Sequence, residues 1–195
     1  VVTPLSSIMN ADGSTDYDTF KTKLGLDSDY MIRFNDPFSN LSNASLNKAA
    51  VVNTQIAIMK SIISELGSGS ESDVESTIAT QIITRTGDET SLGDTTWTKN
   101  AITAISSSSD DFSPSSEQLV SLSAGISAFM QKINANDSSK SHSHFAKAGM
   151  TELKDLMKKV MDGTADSAEI DKLTFNTISW INENTSWDGG TITDN

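Results

Sequence analysis

A chain of 195 residues with a net charge of −12 and no cysteine has no disulfide framework or thiolate chemistry. Its acidic field repels both the phosphate backbone of nucleic acid and anionic membrane surfaces. Hydrophobic residues make up only 36%, with Ser, Thr, Asn and Asp in place of the missing apolar fraction. No apolar run approaches the roughly 18 residues of a membrane span, so no membrane insertion is expected.

Residues 1–10 read as a short extended lead-in broken by Pro4, or as a short helix opened by Pro4 and capped by Thr3. A turn at residues 10–13 precedes a short helix that begins at Ser14 or Thr15 and is stopped by Gly25. The next stretch is less regular, with Asp36-Pro37 expected to start a helical turn. Residues 44–66 carry the clearest pattern. Leu46, Ala49, Val52, Ile56, Met59, Ile63 and Leu66 recur in steps of three and four, and Val51, Ile58 and Ile62 widen the stripe. This helix is expected to be the most buried, ended by Gly67 and Gly69.

Ser72-x-x-Glu75 has the form of a capping box for a helix with Val74, Ile78 and Ile82 inward. Asp94 is placed to cap a helix carrying Trp97, Ala101 and Ile105. Ser113-Pro114 signals the start of the next, whose inward face is Leu119, Leu122, Ile126, Phe129 and Ile133. A polar break at residues 134–143 follows. Phe145, Gly149, Leu153, Leu156 and Val160 then form another inward face, closed by Gly163. Asp166-x-x-Glu169 opens a last helix through Ile170, Leu173, Ile178 and Ile181. Nothing alternates with period two over any length. The expected fold is all-α, an irregular bundle of about six substantial helices with a short extended N-terminal lead-in. Residues 1–184 form one helical domain and residues 185–195 a polar linker or tail. Opening at Val1 without Met or a signal segment, the chain is expected to be an excised or processed piece.

Candidate chemistry is sparse. Asp12, Asp16 and Asp18 crowd a Gly-containing turn beside Asn10, a source of the hard oxygen ligands that calcium takes. The EF-hand spacing is not matched, and a solvated, helix-capping turn is the competing reading. Asp188 and Asp194 form a weaker pair in the tail. His142 and His144, the only histidines, fall in the polar break and are expected on a flexible surface loop rather than in a metal site, which needs three or four converging ligands. There is no Gly-x-Ser-x-Gly elbow, Walker-type loop or Rossmann glycine fingerprint. Met59, Met150, Met157 and Met161 sit at helical apolar positions, where core packing explains them. Trp97, Trp180 and Trp187 are read the same way, and Lys154, Lys158 and Lys159 as a solvated face. No resident cofactor is implied beyond calcium, and the chain is expected not to be an enzyme.

The opening Val1-Val2-Thr3-Pro4-Leu5-Ser6-Ser7-Ile8 resembles the start of the helical region that follows immunoglobulin-like β-domains in large secreted bacterial surface proteins, adhesin-like and calcium-binding repeat proteins among them. The likeness continues through Leu24-Gly25-Leu26, Asp36-Pro37 and Asn53-Thr54-Gln55, covering the first third of the chain. Ser6-Ser7 stands where the family more often has Thr-Thr. The resemblance implies an extracellular or cell-surface location, tandem β-domains and nearby calcium, and it carries over no catalytic residue.

Together these readings lead to a non-enzymatic structural, spacer or interaction module of a secreted or cell-surface bacterial protein, serving adhesion or surface assembly. Its partners are expected to be neighbouring domains of the same polypeptide or copies of itself, with no nucleic acid. The alternatives are a helical ligand-binding domain with an interhelical apolar pocket and, lowest, a hydrolase using carboxylates paired in space.

Overall fold

Every helix start in this chain has to satisfy backbone N–H groups that no preceding turn can serve, and the first start shows how. In the computed structural model, which describes residues 3–11, 17–32, 35–67, 70–85, 92–107, 112–135, 139–185 and 191–192, helix α1 (Pro4–Ala11) begins directly after Thr3. Pro4 brings no N–H. The Leu5 N–H reaches Asn53 Oδ1 at 2.9 Å, the Ser6 N–H reaches Thr3 Oγ1 at 3.2 Å, and the Ser7 N–H closes the first helical bond to the Thr3 carbonyl. A helix, not an extended lead-in, therefore runs from Pro4, while Val1 and Val2 lie outside the described residues.

Helix α2 (Tyr17–Lys23) buries Phe20 and ends at Gly25, whose φ of 60° lets the Leu26 N–H return to the Lys21 carbonyl at 2.8 Å. At Asp36-Pro37 the chain makes a single turn, in which Asp36 Oδ1 takes the Phe38 N–H at 2.9 Å and the Ser39 N–H returns to the Asp36 carbonyl at 3.2 Å, and no helix follows directly. Asn43 caps α3 (Ala44–Glu65) through the Leu46 N–H. From Ala49 to Ile56 every residue of α3 is buried, polar ones included. Thr54 returns its hydroxyl to the Ala50 carbonyl, Asn53 bonds the Ala49 carbonyl as well as α1, and Gln55 reaches the Met130 carbonyl at 3.1 Å. Each of these three polar side chains of α3 thus keeps a hydrogen bond that makes its burial tolerable.

Helix α4 (Glu71–Ile83) is opened by Ser70 and Asp73 in a reciprocal capping box, two residues earlier than Ser72 and Glu75. Glu75 is drawn away to another helix, as described below. Asp94 Oδ1 caps α5 (Thr95–Ser107) by taking the Trp97 N–H at 2.7 Å. Ser115 and Gln118, two residues beyond the expected Ser113-Pro114, form the reciprocal pair that starts α6 (Ser116–Ala135). Gln118 also donates to the Met161 carbonyl at 2.7 Å, closing the end of another helix. That helix is a continuous rod of α7 (Ser139–Ala148), a π-helical turn (Gly149–Leu153) and α8 (Lys154–Met161). Asp166 then caps α9 (Ser167–Phe175), and α10 (Thr177–Asn184) follows after a break at Asn176, whose ψ of 52° is not helical.

The fold is all-α, with no strand among the described residues. The arrangement is richer than six rods. The last expected helix splits at Asn176, and α1 and α2 join the six as separate short helices. Two helices organise the rest: α3 packs against α1, α4, α6, α7 and α8, while α6 packs against α5, α8, α9 and α10. Between them Phe129 of α6 meets Phe145 and Trp180 edge-on at 5.8 and 6.4 Å. Met59, Met157 and Trp97 are core residues as expected, whereas Met150 is exposed. Trp187 falls outside the described residues. Ile192, in the segment read as a polar tail, is buried and exchanges two hydrogen bonds with the Asn182 side chain at 2.8 and 2.9 Å. Among the described residues no helix is long and apolar enough to cross a membrane.

Candidate functional site

Of the three carboxylates read as calcium ligands, Asp18 lies in the first turn of α2, 90% exposed, with Lys21 Nζ 2.9 Å from it. Asp12 and Asp16 lie outside the described residues, as do Asp188 and Asp194. Among the described residues no three His, Asp or Glu side chains converge.

The histidines are not on a surface loop. Both sit on α7, His142 at 2% and His144 at 1% exposure. His142 Nε2 lies 3.1 Å from Asn47 Oδ1, and its ring meets Phe38 edge-on. The run Ser-His-Ser-His hides this helix from any apolar count, because a neutral imidazole packs as an aromatic body while scoring as polar. Burial holds the His144 pKa below its ordinary value of 6.5, and Lys147 adds to the effect against the pull of the Thr185 backbone. Such a group binds its proton more readily in the unfolded chain. Stability is therefore fully present above the unfolded pKa and falls as the pH drops through it toward the folded one. The thermal midpoint is expected to decline as the pH falls below the ordinary value of 6.5, and His144→Leu to flatten that part of the profile. A slope unchanged in the variant would remove His144 from the account.

One half-buried cluster combines a hydroxyl, an amine and a carboxylate. Ser7 of α1 donates to Glu75 Oε1 of α4, and Lys60 of α3 donates to the same oxygen while lying 3.3 Å from Ser7 Oγ and 3.1 Å from Glu71 Oε1. A Ser–Lys nucleophile needs the amine to take the hydroxyl proton. Here that proton is directed at Glu75 and the Lys60 ammonium serves two carboxylates. Burial pushes the Glu75 pKa up, but the hydrogen bonds from Lys60 and Ser7 outweigh it, and the net shift is downward. The trio ties three helices together.

A cleft of about 480 Å³ opens between the end of α4 and the start of α5. Gln81, Thr84 and Arg85 form one wall, and Asp94, Thr96 and Asn100 the other, with Trp97 between them. Arg85 Nη2 stands 3.6 Å from Asp94 Oδ2, and the Trp97 indole N–H donates to the Gln81 carbonyl at 3.2 Å. Lys23 Nζ holds the Arg85 carbonyl at 2.7 Å, tying this end of α4 to α2. Sequence reasoning read Asp94 only as a cap and Trp97 only as core, and passed over the rest of the lining. The available signal was composition: Arg85 is one of two arginines in the chain, and it follows a helix end. The chain matches no protein-family model, no curated protein and no solved structure, so its side chains are the ground for function.

Proposed function

We propose that the chain is a non-enzymatic structural and interaction module of a large secreted or cell-surface bacterial protein. It serves adhesion or surface assembly beside neighbouring domains of the same polypeptide or copies of itself. One observation carries the reading: polar side chains, some buried and others nearer the surface, join helices to one another. Asn53 ties α3 to α1, Gln55 ties it to α6, and Lys60 and Glu75 tie α1, α3 and α4. Ser127 and Gln131 of α6 both reach the Gly93 carbonyl ahead of α5, the latter at 2.9 Å. Ties between elements distant in sequence suit a unit that must keep its shape within a longer assembly. The opening resemblance and the acidic, Ser/Thr/Asn-rich composition support the same setting.

The test is fractionation of cells producing the full parent polypeptide, with protease added to intact cells. The module is expected in the surface or secreted fraction and open to cleavage from outside. Recovery confined to the cytosol overturns the proposal.

A further inference from the structure

We draw no further inference here: the strongest candidate, the buried pair His142 and His144 where α7 packs against α3 and α10, carries nothing beyond the pH-dependent stability already derived for His144, because residues 136–138 before α7 and 186–190 after α10, with Asp137 and Asp188 among them, lie outside the described residues.

Discussion

Phe129→Ala is expected to cost about 3–5 kcal/mol, the usual loss for a fully buried phenylalanine. For a chain of this length, at about 2–4 °C per kcal/mol, the thermal midpoint should fall by about 6–20 °C. Phe129 is wholly buried on α6 and touches one ring on each of two other elements, Phe145 on α7 and Trp180 on α10. Both contacts are edge-to-face, at 87° and 82°, the arrangement in which a positive ring edge meets a negative ring face. Truncation removes the ring that orients the other two and leaves a space that three separate helices would have to close. Differential scanning calorimetry measures the result, with Phe175→Ala as the control. Phe175 is 84% exposed, and its loss should change stability by about 0.5 kcal/mol or less. A Phe129→Ala midpoint within about 2 °C of the unaltered chain would mean that these rings are not the centre of the core.

Much of the fold was legible because helix limits are written locally. The three-and-four spacing along α3, the stop at Gly67 and the caps at Asp94 and Asp166 all lie where the sequence places them. What local pattern cannot decide is which polar side chain a distant helix will claim. Ser72-x-x-Glu75 fits a capping box as written, yet Glu75 pairs with Lys60 and Ser7, and Ser70 with Asp73 takes over the cap. The same limit hid α7. Its first half has no apolar period, and its inward positions are two imidazoles, which count as polar in the sequence yet are buried in the fold. The cleft was illegible for a third reason. Gln81 and Arg85 meet Asp94 and Asn100 only once α4 and α5 lie side by side, and no spacing within either helix announces that pairing.

Gly149→Val is expected to unfold the chain or to destabilise it by more than any surface change, since a side chain there has no room. A Cβ at Gly149 would stand 2.7 Å from Cγ1, Cγ2 and Cδ1 of Ile58 together. A flexible side chain could swing its tip aside, but Ile58 is β-branched, confined to essentially one rotamer within a helix, and wholly buried. Its helix cannot retreat either, because α3 is held by Asn53 to α1, by Gln55 to α6 and by Lys60 to α4. The contact also coincides with the π-helical turn, where the rod of α7 and α8 departs from regular helix as it crosses α3. Even Gly149→Ala should cost about 1–3 kcal/mol from overpacking, against a gain of about 1 kcal/mol in helix propensity. Urea denaturation of Gly149→Ala, Ile58→Ala and the double variant separates these effects. Ile58→Ala alone should lose about 2–5 kcal/mol. Adding Gly149→Ala to it should then cost little or restore stability, because the incoming methyl enters the space that Ile58 has left. Additive losses, or a Gly149→Ala chain more stable than the original, would show that the two helices do not meet at this point.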